Sequence, residues 1–152
     1  MDEETELLRS LYPGLRRLAG ACGPIDVEPE DLVQEAVTRA LRRGPLTELE
    51  HPGAYLRQKI VNLASNRRRG HHRWQVALRR HGPAMPEADG YPSDLSELLR
   101  LEPADRAVLF LVDVEAASFL EAARVLGCTE EAARQRASRA RRRLRERMGG
   151  PP

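Results

Sequence analysis

The side chains best suited to chemistry lie between residues 129 and 147. Arg134, Gln135, Arg136, Ser138, Arg139 and Arg142 stand close together there, with further arginines at 141, 143, 145 and 147. Arginine can fork two hydrogen bonds onto a guanine edge, and glutamine can do the same for adenine. Guanidinium groups that miss the bases neutralise phosphates instead. This is the chemistry of nucleic-acid recognition, not of bond making. A second set, Asn62, Asn66, Arg67, Arg68, Arg69 and Arg73, falls in 51–82, a stretch with eight basic residues and no acid. Basic grooves with nearby aromatics suit unpaired bases, and Tyr55 and Trp74 are the aromatics at hand. Tyr55 reads as a core residue and Trp74 as an ordinary packed or exposed side chain. No Ser/His/Asp or Cys/His grouping and no phosphate loop accompanies these sets. Cys22 and Cys128 are far apart and read as two buried thiols, while His71 and His72 point different ways on a helix. Neither a metal nor a cofactor is expected, and no enzymatic activity.

Charge is unevenly placed along the chain. The overall net charge is only +2, yet residues 1–35 carry nine acids against three bases, and 83–123 nine against two. Residues 124–152 reverse the balance, with nine bases and three acids. Two basic blocks alternating with two acidic ones suggest two separate anion-facing surfaces. Of the 25 basic residues only Lys59 is a lysine. Such an arginine excess also follows from a GC-rich genome, so placement carries the weight.

The elements that must position these residues read as helices. Hydrophobic residues make up 41% of the chain and aromatics only 4%. A core of Leu, Val, Ile and Ala suits helices packed on helices. Leu7, Leu8, Leu11, Leu15 and Leu18 recur at helical spacing, with a break or kink expected at Tyr12-Pro13. Pro29 opens a second helix whose stripe is Leu32, Val33, Ala36, Val37, Ala40 and Leu41, stopped by Gly44-Pro45. A third starts at His51-Pro52-Gly53 and runs to about Arg69. Residues 71–93, rich in Gly and Pro, read as a flexible linker, with room for a helical extension through Arg80. The chain is thus expected to be all-α, with two small helical domains at 1–70 and 94–148. No run approaches the roughly 20 apolar residues of a membrane span. With an acidic start at Asp2-Glu3-Glu4, a cytoplasmic location and no membrane insertion are expected.

The second domain has the punctuation of a helix-turn-helix. Ser118-x-x-Glu121 fits a capping box, Gly127 can supply a positive φ, and Thr129 can cap the last helix. Ala133, Ala137, Ala140 and Leu144 share one face of that helix. The opposite face then carries Gln135, Ser138 and Arg142, with Arg134 and Arg139 beside them, poised for a major groove.

Three ordered segments resemble the extracytoplasmic-function (ECF, group 4) sigma factors of bacterial RNA polymerase. Glu30-Asp31-Leu32-Val33-Gln34-Glu35-Ala36 resembles the region 2 helix that docks on the β′ clamp helices. Ala54-Tyr55-Leu56-Arg57 through Asn62-Leu63-Ala64 and Arg67-Arg68-Arg69 resembles the helix and basic tail that hold the −10 element. Leu101-Glu102-Pro103 through Val108, then Glu121 to Leu144, resembles region 4, which reads the −35 element. The resemblance implies a region 2-like domain, a linker and a region 4-like domain. It implies Asp31, Leu32, Val33, Gln34 and Glu35 as polymerase contacts, Asn62, Asn66, Arg67, Arg68, Arg69 and Arg73 as −10 contacts, and the set from Arg134 to Arg142 as −35 contacts. Implied partners are core polymerase, through its β′ clamp helices and β flap, promoter DNA and an anti-sigma factor. Asn66 stands where the family often has aspartate, and Ala133 where a β-branched residue is common. The competing class is a helix-turn-helix regulator that binds duplex DNA alone, as a dimer. The absence of a dimerisation helix or ligand domain weighs against it.

Overall fold

The computed structural model describes residues 2–81, 93–147 and 149. Every regular element among them is helical. In chain order they are α1 (Glu3–Cys22), α2 (Pro29–Arg43), a 3-10 turn (Leu46–Glu48), α3 (Pro52–His81), α4 (Ser93–Arg100), α5 (Pro103–Leu109), which continues as a π turn over Phe110–Val114, α6 (Phe119–Leu126) and α7 (Glu130–Arg147). The expected all-α fold of two helical domains is present. In the first, α1, α2 and α3 pack on one another; in the second, α5 and α6 pack on α7.

The apolar stripes make the core. Leu15, Leu18, Leu32, Val33, Leu56 and Ile60 are buried in the first domain, and Leu101, Val108, Leu111, Ala122 and Ala137 in the second. These side chains form one continuous cluster, because α3 also meets α5 and α6, and α1 meets α5. Burying each Leu or Ile contributes about 1.5–3 kcal/mol.

That scale explains one departure from expectation. α1 runs unbroken through Pro13. A proline inside a helix costs about 3 kcal/mol, but the stripe stays in register across it, and Leu15, Leu18, Ala19 and Cys22 are all buried beyond it. Their combined burial outweighs the one lost hydrogen bond. The third helix passes Arg69 and continues to His81. Gly70 costs about 1 kcal/mol in a helix and is too weak to stop it. Residues 71–81 are therefore helix, as the allowed extension anticipated, and the rest of the proposed linker, 82–92, lies outside the described residues.

The caps follow their sequence signals. The Glu121 backbone N–H donates to Ser118 Oγ at 3.1 Å, and the Ser118 N–H donates to the Glu121 carboxylate at 3.4 Å. Replacing Ser118 by alanine should cost about 1 kcal/mol. The thermal midpoint should then fall by roughly 2–4 °C, measured by calorimetry.

Candidate nucleic-acid interface

α7 is placed by a tight turn. Gly127 adopts φ 67° and ψ 38°, the left-handed conformation that ends α6 without a side-chain clash. A Cβ there would also strike the side-chain amide of Gln58 on α3. The Ala132 N–H then donates to Thr129 Oγ1 at 3.1 Å, while Glu130 and Glu131 sit in the positive first turn. Ala133, Ala137 and Ala140 are buried and Leu144 is half-buried, so the small-residue face packs inward as expected.

The arginines of α7 divide into two groups. Arg136 donates to Asp105 at 2.8 Å, and Arg143 lies 3.5 Å from the same carboxylate. Arg141 grips Asp113 with two nitrogens, at 2.5 and 3.2 Å, which raises its pKa through hydrogen bonding first. Arg147 reaches Glu97 at 3.7 Å. These four brace α7 against α4, α5 and the π turn. Much of the acidic block thus neutralises the back of the basic one, so this block does not form a single anion-facing surface.

The front of α7 is exposed. Among the described residues Arg134 pairs only with Glu130 and Glu131 of its own helix, at 3.3 and 3.2 Å, and it lies over the Phe119 ring at 5.1 Å. Gln135 touches Glu131 at 3.4 Å. Ser138, Arg139 and Arg142 are exposed, with no ion pair among the described residues. Arg136 does not join this face. It is half-buried and tied to Asp105, off the face that carries Gln135, Ser138 and Arg142.

The residues anticipated for −10 DNA do not form one surface. Asn62 and Asn66 on α3 open into a cleft of about 470 Å³ with Arg39, Arg42 and Arg43 of α2 and with Lys59, whose ammonium sits 5.2 Å from the Tyr55 ring centre. Among the described residues no acid lines this cleft. The α2 arginines were missed in the sequence, although Arg42-Arg43 ends that helix. Tyr55 is half-buried against the core, close to expectation, and Trp74 is 63% exposed. Arg67 turns away to Glu35, and Arg69 contacts Asn66. Further along α3, Arg68, Arg69 and Arg73 line a second cleft of about 680 Å³ beside Glu102.

On α2, Asp31 and Gln34 are exposed, whereas Glu35 pairs with Arg67 and, at 2.7 Å, with Arg39. Leu32 and Val33 correct an expectation: at 0% and 1% exposure they belong to the chain's own core and offer no surface to a partner. They lie on the stripe that packs α2 against α1 and α3. Cys22 is buried as expected, but Cys128 in the helix-turn-helix turn is exposed. Among the described residues, no three His, Cys, Asp or Glu side chains converge as a metal site, and no helix is long and apolar enough to cross a membrane.

Residues 95–144 match the family model for sigma-70, region 4. That span holds α5, the capped α6, the glycine turn and nearly all of α7. No curated protein matches the chain. Among solved structures it is similar to the sigma factor RpoE from Bartonella quintana, crystallised with the anti-sigma factor NepR. The TM-score is 0.69 at 23% identity, covering 95% of this chain and 96% of that one. The match to sigma-70 region 4 is thus confined to the second domain, and the chain as a whole is similar in fold to that solved sigma factor.

Proposed function

We propose that this chain is a sigma factor of the extracytoplasmic-function class, which binds core RNA polymerase and directs initiation at promoters it selects. The observation that carries this is the division of α7: four arginines brace the helix, and Arg134, Gln135, Ser138, Arg139 and Arg142 remain on its open face. This face, in a segment that matches sigma-70 region 4, would read −35 DNA through the major groove. Asn62 and Asn66, with Arg39, Arg42 and Arg43, would hold −10 DNA, since an acid-free basic cleft with an aromatic wall suits an unpaired base. Asp31 and Gln34 would form the polar rim of the contact with the β′ clamp helices, and region 4 would meet the β flap. The first domain then extends through α3, with the linker after it and the −35 domain from about residue 94. Catalysis belongs to the polymerase, and the protein acts in the cytoplasm. The complex of RpoE with NepR supports an anti-sigma factor as a further partner.

Run-off transcription tests the proposal. The full chain is combined with core polymerase on a genomic library and the starts are mapped. Starts sharing −10 and −35 elements are expected, absent with core alone. No start from any promoter, or tight binding of the free chain to a two-fold symmetric duplex, would overturn it.

A further inference from the structure

Where the two domains meet, a cleft of about 270 Å³ is lined by Ile25, Asp26, Arg68, His71, Leu99 and Arg106. It draws on both domains: Asp26 follows α1, Arg68 and His71 lie on α3, and Leu99 and Arg106 come from α4 and α5. Two guanidinium groups face it against one carboxylate. Arg106 is only 6% exposed. Its Nη1 donates to the carbonyls of Ala21 and Gly23, at 3.4 and 3.2 Å, where α1 ends. Its Nε is buried with no acceptor among the described residues. Arg68 repeats the pattern: one terminal nitrogen donates to the Arg100 carbonyl at 2.7 Å, and Nη1 is buried with no acceptor among the described residues. Burial pulls the Arg106 pKa below its usual value, and the neighbouring Arg68 charge adds to this. Buried charged donors left unmade are costly, and like charges confined together repel.

We propose that this interdomain cleft binds a small phosphate-type oxyanion, which accepts hydrogen bonds from Arg68 of the first domain and Arg106 of the second and clamps the two together. The match is chemical. A tetrahedral oxyanion meets the excess positive charge of two guanidinium groups over one carboxylate and offers acceptors in several directions to the two donors. Asp26 can accept from the P–OH of a monohydrogen phosphate. His71 supplies a further donor. The clamp also holds Arg68 away from any other anion. The site stands apart from the transcription proposal, because its residues can be tested without polymerase or DNA.

A built-in reporter lies beside it. Cys22, in the last turn of α1, is fully buried and feels the Arg106 charge, and burial pushes its thiol up to about 12. It should react with an alkylating agent only when the domains part. The full chain with Cys128→Ser is titrated calorimetrically with inorganic phosphate and, separately, with glycerol phosphate, against chloride at matched ionic strength. The expected result is one saturable site per chain, with Kd below about 1 mM for at least one of the two anions. Preference between them tells a free-ion site from one for a phosphorylated small molecule. Arg68→Met should weaken binding about tenfold or more, the loss of one charge-assisted hydrogen bond. Cys22 alkylation should slow several-fold at saturation. Arg106→Met should act like Arg68→Met, but Arg106 also caps α1, so the half-buried Arg68 is the deciding variant, with its helicity checked by circular dichroism. Binding no stronger than that of chloride, unchanged affinity in Arg68→Met, or unaltered Cys22 alkylation at saturation would each overturn the clamp.

Discussion

Leucine in place of Ala137 is expected to lower the thermal midpoint by roughly 3–10 °C and to remove nearly all initiation that depends on the −35 element. Ala137 is completely buried on the inner face of α7, between Ala133 and Ala140. Three alanines on one face let α7 lie close to its neighbours. Three extra carbon atoms have no space there, and overpacking of this kind costs about 1–3 kcal/mol. The helix can relieve the clash only by lifting or rotating. Either motion also strains the Arg136–Asp105 and Arg141–Asp113 pairs that fix its pitch, at 2.8 and 2.5 Å. Displacement of about 1 Å is enough to spoil forked hydrogen bonds to bases. Calorimetry reads the first effect and run-off transcription the second. A variant with an unchanged midpoint and full promoter activity would show that the small face does not set the position of α7.

The second large effect concerns Arg139. Arg139→Ala is expected to reduce initiation at the best promoter roughly 5–150-fold, corresponding to the loss of about 1–3 kcal/mol from one good base contact. Affinity for core polymerase should stay the same, because the proposed clamp-helix contact, Asp31 and Gln34, lies on α2, and Arg139 has no ion pair bracing α7 among the described residues. Gln135→Ala should act in the same direction and change which base is preferred. The internal control is Arg136→Ala. Arg136 spends its charge on buried Asp105, so its loss should appear chiefly as reduced stability. Gel-shift competition with promoters altered one base at a time separates the two. Equal losses of promoter activity and core binding in Arg139→Ala would mean that α7 is only structural.

Much of this molecule is legible locally. A capping box, a glycine that ends a helix, a proline at a first turn and a repeating apolar stripe each act within about ten residues. Ser118, Gly127, Thr129, Pro29 and the Ala133–Ala137–Ala140 face therefore stand where their types and spacing place them. So does the exposure of Gln135, Ser138, Arg139 and Arg142, since one face of a helix being buried fixes the other. The resemblance of the ordered segments to sigma factors rests on the same local information.

Helical geometry separates the faces of the arginine-rich helix, but which of its other arginines are paired with acids is decided only by the tertiary structure. Whether an arginine is free or spent depends on which acid the fold brings within about 4 Å, and Asp105, Asp113 and Glu97 lie some thirty to fifty residues away in the chain. The same holds for Arg39, Arg42 and Arg43, which join Asn62 and Asn66 only because α2 packs on α3. Leu32 and Val33, implied as polymerase contacts by the resemblance, lie on the stripe that the periodicity itself turns inward, and burial leaves them no surface to offer. Pro13 shows the reverse limit: its local cost of about 3 kcal/mol is real, but the burial of Leu15, Leu18, Ala19 and Cys22 beyond it exceeds that cost. Propensity and periodicity are encoded along the chain, whereas charge pairing and clefts arise between segments. The sequence by itself therefore determined the helices and the face that α7 presents, and the tertiary structure decided which of its cations remain free to use it.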